Sequence, residues 1–163
     1  MNHIVLFEPE IPQNTGNIIR TCVATNSALH LIRPLGFMFN ERTFRRFAVN
    51  HFEHLTYHLY DDFDDFFARN EGRFYFMTRY GENTPDTCDF TLNEQNPIYL
   101  IFGKESTGLP EAIRTTFRTQ CFRLPMTDKV RSLNLANAVA IVLYEALRQQ
   151  AYEGLYRHEP TRI

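Results

Sequence analysis

The segment from His3 to Arg20 reads HIVLFEPEIPQNTGNIIR and predicts the first structural unit of the chain. Its opening residues form an apolar run with β-branched members, which is typical of a buried strand. A polar loop with two prolines follows, and Asn14 or Thr15 is predicted to cap a helix whose apolar side begins at Ile18. A strand, a loop and a helix in this order form half of a βαβ unit.

Short apolar runs and amphipathic stretches continue to alternate along the chain, which predicts an α/β fold with a mostly parallel sheet flanked by helices. The predicted strands are His3–Phe7, Leu29–Arg33, His54–Tyr60, Arg73–Thr78, Ile98–Phe102 and Cys121–Leu124. Further helices are predicted to start at Asp61 and Asp62, after Pro110, and at about Leu133, the last one ending near Gln150 with Ser132 as its cap.

The length of 163 residues predicts one domain, residues 1–155, followed by a polar tail, residues 156–163. The three cysteines, Cys22, Cys88 and Cys121, are odd in number and include no C-x-x-C pair, so we expect neither a disulfide framework nor a thiolate zinc site. The N-terminal apolar run stops at Glu8, too early for a signal peptide or a membrane span. We therefore expect a cytoplasmic protein with no membrane partner.

The net charge of −2 hides an uneven distribution. The first fifty residues carry a charge of +2, the next fifty −7 and the remainder +3. Of the 17 basic residues 15 are arginine, a planar bidentate donor that suits phosphate recognition. Genomic base composition explains the arginine excess equally well.

Three segments place small and amide residues directly after a predicted strand, where open α/β sheets bind their ligands. The first is the loop that ends at Arg20. The second, residues 101–110, reads IFGKESTGLP and has two glycines that allow a ligand to approach backbone N–H groups. The third, residues 124–137, reads LPMTDKVRSLNLAN and leads into the last helix.

Several common chemistries lack their sequence signatures. The glycine segment is not a P-loop, no G-x-G-x-x-G is present, and Ser132 is not part of a G-x-S-x-G motif, which disfavours ATP, NAD and hydrolase sites. Glu8 and Glu10 are interpreted as loop caps in preference to a catalytic carboxylate pair.

Two groups of side chains allow a metal interpretation. Asp61, Asp62, Asp64 and Asp65 are better explained as a solvated first helical turn. His51, His54 and His58 have a spacing that suits zinc on a helix, but their aromatic neighbours favour a strand, which would scatter them over both faces.

Taken together, the three segments resemble the motifs of the SPOUT, or α/β-knot, RNA methyltransferases, and most closely the TrmL-type subfamily that methylates the ribose of the tRNA wobble nucleotide. The matching patterns are E-P-x-I-P-x-N-T-G-N-I-I-R, F-G-x-E-x-x-G-L-P and R-S-L-N-L-A-N-A-V, and the resemblance runs from Ile4 to about Tyr152. The chain departs from the usual pattern at Lys104, Thr107, Val130 and Ala136.

The resemblance implies a C-terminal trefoil knot, which is rare in proteins, and a site for S-adenosylmethionine without a metal ion. The residues that it implies in cofactor binding are Met77, Gly103, Leu124, Met126, Ser132 and Leu133. These residue types suit the ligand, because methionine and leucine side chains pack against an adenine ring while backbone groups beside Gly103 offer hydrogen bonds.

The implied reaction is the attack of a ribose 2′-oxygen on the methyl carbon of a sulfonium. Arg20 occupies the family's catalytic-arginine position; because a guanidinium stays protonated in proteins, we interpret Arg20 as a clamp on phosphate or ribose and leave the base unassigned. Asn134 and Tyr144 match positions that orient the hydroxyl, and Ser132 binds the cofactor or relays the proton. A core-facing tyrosine is an equally good interpretation of Tyr144.

The resemblance further implies tRNA as a partner and a homodimer in which the first and last helices meet. The residues expected to contact RNA are Asn14, Asn17, Arg45, Arg46 and Arg131. The expected function is 2′-O-methylation of the wobble cytidine or uridine of tRNA. A ribosomal RNA methyltransferase and a non-catalytic knot that binds RNA or cofactor are the alternatives.

Overall fold

Six strands form one sheet within the residues that the computed structural model describes, which are 1–38, 52–93 and 95–159. The strands are β1 (Asn2–Phe7), β2 (Ala28–Ile32), β3 (Tyr57–Tyr60), β4 (Arg73–Met77), β5 (Ile98–Phe102) and β6 (Cys121–Phe122). The α-helices of the same ranges are α1 (Pro12–Ala24), α2 (Phe63–Arg69), α3 (Glu111–Thr116) and α4 (Leu135–Gln149). Short 3-10 turns cover Phe52–His54, Pro85–Thr87 and Arg118–Gln120.

The strand order is β3-β2-β1-β5-β4-β6, and every neighbouring pair is parallel. β1 lies in the centre, with β2 on one side and β5 on the other. The loops that leave β1 and β5 therefore diverge from adjacent strand ends, which is where open α/β sheets form a ligand crevice. This arrangement confirms the predicted α/β fold with a parallel sheet flanked by helices.

Both faces of the sheet are buried, which explains why the strands are nearly continuous apolar runs. On one face Ile4 packs in a cluster with Ile18 of α1 and Val142 of α4. On the other face Val5 packs in a second cluster with Phe66 of α2. These two layers hold the carboxyl ends of the strands at one edge.

The predicted cap of α1 is wrong, because the helix begins earlier. Pro12 occupies the first turn, where its fixed φ and missing N–H suit a helix start, and Ile11 is the capping residue without a side-chain hydrogen bond. Asn14 and Thr15 are buried inside the first turn. The Thr15 hydroxyl has no partner among the described residues, and Asn14 bonds to other loops.

The predicted cap of the last helix is also wrong. Asn134, not Ser132, caps α4, because its Oδ1 accepts hydrogen bonds from the backbone N–H groups of Ala136 at 2.9 Å and Asn137 at 3.3 Å. Both residues are polar and either could cap from sequence alone. The helix accordingly begins at Leu135, two residues later than predicted.

Two predicted strands are shorter than expected by two residues or more. The first residues of the third predicted strand form a turn, closed by a hydrogen bond from the Leu55 N–H to the Phe52 carbonyl, so β3 begins at Tyr57. β6 ends at Phe122 because the next N–H, that of Arg123, donates to a loop carbonyl and not to β4.

The described parts of the chain contain no helix long and apolar enough to cross a membrane. Cys22, Cys88 and Cys121 are free and buried. The trefoil knot and the division between a domain of residues 1–155 and a tail of residues 156–163 stay predictions; residues 160–163 lie outside the described ranges.

Candidate active site

A cavity of about 390 Å³ opens where the loops after β4, β5 and β6 meet, a volume within the range of roughly 300 to 1,000 Å³ that is usual for ligand pockets. Its lining combines apolar side chains, such as Phe102, with polar loop residues. The six residues predicted to bind the cofactor all line it: Met77, Gly103, Leu124, Met126, Ser132 and Leu133. Asn14, Arg131 and Asn134 line it as well.

The glycine loop closes back on itself to form one wall of this cavity. A Cβ atom on Gly103 would lie 2.2 Å from the carbonyl carbon of Gly108 and 2.2 Å from the nitrogen of Leu109. Gly108 itself has a φ of +74°, in the left-handed region that favours glycine. The backbone at Gly108 and Leu109 therefore stands directly against Gly103 at the end of β5. The approach of a ligand to this backbone stays a prediction.

Glu105 ties the glycine loop to the start of α1. Its carboxylate accepts hydrogen bonds from the backbone N–H of Glu10 at 2.8 Å, from that of Ile11 at 3.3 Å and from Nδ2 of Asn14 at 3.0 Å. Because α1 has no acidic residue in its first turn and no side-chain cap, Glu105 supplies from a distant loop the negative charge that a helix N-terminus favours.

A second carboxylate, that of Glu10 before α1, accepts hydrogen bonds from the glycine loop. Glu10 accepts hydrogen bonds from both the N–H and the Oγ of Ser106, each at 2.8 Å, and these bonds lower the pKa of Glu10. Beside it, Nζ of Lys104 contacts Oε2 of Glu8 at 2.6 Å, and this bond raises the pKa of Lys104. Glu8 and Glu10 thus bind different partners and act as loop anchors, not as a carboxylate pair.

Asn134 connects the third motif to this arrangement. Its Nδ2 donates to Oδ1 of Asn14 at 2.9 Å, while its Oδ1 caps α4. Since Asn14 also donates to Glu105, a continuous path of hydrogen bonds joins residues 105, 14 and 134. We call the side chains of Glu105, Asn14 and Asn134 the loop network; they hold the three motif loops around one cavity.

Three residues that the sequence analysis did not single out take part in the site. Glu105 is the carboxylate of the glycine loop, and its role becomes visible only from its distance to α1. Arg79 and Tyr80 line the cavity directly after β4. The rule that ligands lie at the carboxyl ends of parallel strands, applied to the fourth predicted strand, would have pointed to this pair.

Other predicted site residues lie away from the cavity lining. Arg20 and Asn17 are exposed on α1, and the Arg20 guanidinium has no hydrogen bond or ion pair within the described ranges. Tyr144 is 49% exposed on α4, which excludes a core-facing tyrosine, and lines a separate groove with residues of the C-terminal segment. The predicted RNA contacts Arg45 and Arg46 lie outside the described residues.

A second polar arrangement, on the α2 face of the sheet, contains the buried His30 and the partly buried His3. Nδ1 of His3 and Nε2 of His30 are 2.9 Å apart, and Nδ1 of His30 lies 2.8 Å from the hydroxyl of Tyr60. The hydroxyls of Tyr60 and Tyr99 contact Oδ1 of Asn70 at 3.4 and 3.3 Å. We call these five residues the histidine cluster.

The alternative metal interpretations find no support in the described ranges, where no group of three or more histidine, cysteine or acidic side chains is arranged to hold a metal ion. Asp62 caps α2 by accepting from the N–H of Asp65, and Asp61 contacts Arg33 at 2.9 Å. His54 belongs to a 3-10 turn and His51 lies outside the described residues.

Thiol chemistry is equally unsupported, because burial raises the pKa of Cys22 and of Cys88 to about 12 and only a thiolate is a strong nucleophile.

Comparison with known proteins identifies relatives over nearly the whole chain. The SpoU rRNA Methylase family matches residues 1–144. A protein of Geobacillus stearothermophilus, assigned as a tRNA (cytidine(34)-2′-O)-methyltransferase, is 50% identical over 154 residues, which is 94% of this chain and 98% of that protein.

Solved structures of methyltransferases also superpose on nearly the whole chain. A structure described as giving insight into 2-OH methylation of C/U34 on tRNA is 40% identical and superposes with a TM-score of 0.82, covering 91% of this chain and 95% of the other. An AdoMet-bound rRNA methyltransferase from Sinorhizobium meliloti is 25% identical with a TM-score of 0.78, covering 90% of this chain and 56% of that one.

Proposed function

Because the chain belongs to the SpoU rRNA methylase family, we propose that it is an S-adenosylmethionine-dependent tRNA methyltransferase acting on the ribose 2′-oxygen of the wobble cytidine or uridine. One structural observation carries the proposal: three motif loops that are distant in sequence meet around one cavity. Relatives of nearly equal length that are assigned to cytidine 34 of tRNA direct the choice of substrate. We propose that the enzyme acts in the cytoplasm and that tRNA is its partner there.

The cavity fits S-adenosylmethionine in its chemistry. Met77, Leu124 and Met126 offer apolar surface for an adenine ring, and the backbone beside Gly103, where the glycine loop closes against the end of β5, offers hydrogen-bonding groups. Ser132 and Leu133, on the opposite loop, complete the set of six residues that we assign to the cofactor. We also propose that the chain forms a trefoil knot here. The knot would hold the loop that carries Ser132 and Leu133 in place.

When bound, the cofactor supplies an electrophilic methyl carbon on a sulfonium. The chain must align the ribose hydroxyl with that carbon, and alignment of reacting groups contributes roughly 7 to 11 kcal/mol in favourable cases. Asn134 suits this task because its Oδ1 is held by α4 and one Nδ2 proton by Asn14, which leaves one amide proton to orient the hydroxyl. Tyr144 keeps its assignment to orientation of the hydroxyl, Ser132 keeps its assignment to cofactor binding or proton relay, and the general base is unassigned.

A homodimer across α1 and α4 accounts for the position of Arg20. The exposed stripes of these packed helices share a spacing of four, three and four residues: Gln13, Asn17, Arg20 and Ala24 on α1, and Asn137, Ile141, Tyr144 and Arg148 on α4. Ile141 and Tyr144 are 47% and 49% exposed, which is unusual for large apolar side chains on a docked helix. We propose that a second copy covers this face and brings Arg20 to the substrate.

The decisive experiment supplies the purified protein with radiolabelled S-adenosylmethionine and bulk tRNA from a strain that lacks the enzyme. Digestion then locates the labelled nucleoside. We expect label in a 2′-O-methylated pyrimidine at the wobble position. Ribosomal RNA serves as the competing substrate, since the family description and the Sinorhizobium meliloti structure both refer to rRNA. Label in ribosomal RNA alone would contradict the proposal.

Two variants separate catalysis, assembly and binding in this assay. Arg20→Ala is expected to lose methylation while retaining cofactor affinity, because Arg20 does not line the cavity. Ile141→Glu is expected to yield a monomer by light scattering and to lose methylation. Cofactor binding without transfer to any RNA by the unmodified protein would favour the alternative of a non-catalytic knot.

A further inference from the structure

A half-exposed tyrosine lies among arginines in the cavity lining. Tyr80, directly after β4, is 52% exposed. The guanidinium carbon of Arg79 lies 4.5 Å from the centre of its ring, and that of Arg114, on α3, lies 4.2 Å away. Arg79 also hydrogen-bonds the Tyr80 hydroxyl, and Arg114 is held by a bond of 3.2 Å from its Nε to the Leu109 carbonyl.

This surface carries a local excess of positive charge. Four of its arginines form no ion pair with a carboxylate anywhere in ranges 1–38, 52–93 and 95–159: Arg79, Arg114, Arg123 and Arg131. Three of these four line the cavity, and Arg114 lies beside it over the Tyr80 ring. Among the other described arginines, Arg20 and Arg157 are also without a carboxylate partner, and five contact one: Arg33, Arg69, Arg73, Arg118 and Arg148. Glu82, two residues after Tyr80, is already engaged by Arg118.

The positive charge is concentrated around the tyrosine itself. The hydrogen bond from Arg79, together with the charges of Arg79, Arg114 and Arg131, lowers the pKa of Tyr80. Arg123 adds to the group by donating from Nη1 to the Arg79 carbonyl at 2.7 Å, which fixes the backbone of residues 79 and 80. An aromatic ring held among unpaired guanidinium groups is the combination with which proteins bind unpaired nucleotides, which have a phosphate and a flat base.

We propose that Tyr80, Arg79 and Arg114 form a docking site for one unpaired RNA nucleotide flanking the nucleotide that is methylated. The guanidinium groups bind its phosphate, and the exposed part of the Tyr80 ring contacts its base. The inference rests on the proposed function, because it takes RNA as the substrate. It adds a binding surface to the predicted RNA contacts, of which only Arg131 belongs to the same group of arginines.

The test compares three variants of the full chain with the unmodified protein. Tyr80→Ala removes the ring and Arg79→Gln removes one guanidinium; both residues lie in an exposed loop end, so the fold should tolerate the change. Arg69→Gln is the matched control, since Arg69 also lies over a tyrosine, Tyr60 at 4.5 Å, but pairs with Asp65 and does not line the cavity. Cofactor affinity by calorimetry and KM for tRNA are measured for each, with the salt dependence of tRNA binding.

We expect Tyr80→Ala to raise KM for tRNA roughly fivefold, the lower end of the loss associated with one base stacked on an aromatic ring, because Arg79 and Arg114 already lie over part of this ring. Arg79→Gln should reduce the slope of log Kd for tRNA against log salt by about 0.7, the contribution of one contact with single-stranded phosphate. Cofactor affinity should stay within about twofold in both, and Arg69→Gln should change neither RNA quantity.

Unchanged KM and salt slope would overturn the proposal, and so would a loss of cofactor affinity in place of RNA affinity, which would assign the arginines to the cofactor. The result is independent of the tRNA assignment. If the unmodified protein methylates ribosomal RNA only, the same quantities measured with that RNA test the docking site while the proposed function fails.

Discussion

The loop network and the histidine cluster are both built from polar side chains that are distant in sequence, yet they are fixed differently. Four members of the histidine cluster lie on neighbouring strands, His3 and His30 being 2.9 Å apart, and the strand register places these four on one face of the sheet. The fifth, Asn70, is the C-cap residue of α2. The loop network joins residues that lie outside the strands. Without the contacts between Glu105 and Asn14, nothing in the sheet would fix these loops relative to each other.

This difference separates stability from function in the molecule. A change in the histidine cluster should lower the free energy of unfolding and leave the site intact, because the strands carry no cavity residue on that face except at their ends. A change in the loop network should disturb the cavity while the sheet persists.

The largest loss of cofactor affinity is expected at Gly103, where the glycine loop leaves no space for a side chain. Gly103→Ala would place a Cβ 2.2 Å from backbone atoms of Gly108 and Leu109, so the glycine loop must move. Because the clash is with backbone and not with a flexible side chain, we expect cofactor affinity to fall by more than roughly 100-fold, about 3 kcal/mol. Isothermal titration with S-adenosylmethionine measures it.

Gly108→Ala is the matched control for that change. A Cβ there meets nothing within 4 Å, but the φ of +74° is strained for alanine, at a cost of about 1 to 2 kcal/mol. It should therefore weaken cofactor binding less than Gly103→Ala does. Equal affinity of the Gly103→Ala variant and the unmodified protein would show that the glycine loop does not form the cofactor site.

A smaller effect on activity is expected from Glu105→Gln, which keeps the size of the side chain and removes its charge. Glu10 and Ile11 donate to different oxygens of the carboxylate, so in either orientation the amide nitrogen would face one of these N–H groups, and charge-assisted bonds of about 1.5 to 3 kcal/mol are lost. We expect kcat/KM for tRNA to fall roughly 10- to 100-fold. Circular dichroism should show the same secondary structure, and unaltered kinetics would separate the loop network from the site.

The histidine cluster should make the stability of the protein depend on pH. Burial lowers the pKa of His30 from 6.5 to about 3 and that of His3 from 6.5 to about 4, so the unfolded chain binds more protons than the folded protein between these values. The free energy of unfolding therefore has its full value above about pH 6.5. It decreases as the pH falls below that value, by up to about 1.4 kcal/mol per pH unit for each histidine.

Urea unfolding of the unmodified protein and of His30→Gln between about pH 7 and pH 5 measures this contribution. The variant should be less stable at neutral pH, depend less on pH, and keep its kcat/KM. Parallel pH curves for the two proteins would mean that His30 does not titrate differently on unfolding.

The smallest effect concerns a region that belongs to neither network. Asp62 caps α2 through its bond of 2.8 Å to the Asp65 N–H, and Asp62→Ala should cost about 1 kcal/mol of stability. Thermal unfolding measures the loss, and kcat/KM should be unchanged. A loss of activity would reveal coupling between α2 and the cavity.

The sequence predicted the strands and the sheet well, because both faces of β1 and β5 are buried and their apolar runs are unambiguous. It placed the starts of α2 and α3 correctly, after Asp62 and Pro110, and failed at the starts of α1 and α4, where several polar residues compete as caps. Asn14 looked like a cap of α1, yet its side chain joins Glu105 to Asn134, and Ser132 was chosen although Asn134 performs that role.

The cavity was predictable only in part. Its six cofactor residues came from a resemblance, and the structure places them in one lining. The contacts of Glu105 could not be predicted, since they link loops more than ninety residues apart. The position of Arg20 outside the lining was equally unforeseeable, because a sequence pattern does not state how far a side chain on α1 lies from the cavity.

A crystal structure of the protein with S-adenosylhomocysteine, the product form of the cofactor, tests the assignment of the cavity most directly. We predict that the ligand lies between Met77, Gly103 and Leu133, inside the cavity enclosed by the three motif loops. A ligand bound elsewhere on the chain, or a protein that binds none at saturating concentration, would contradict the assignment.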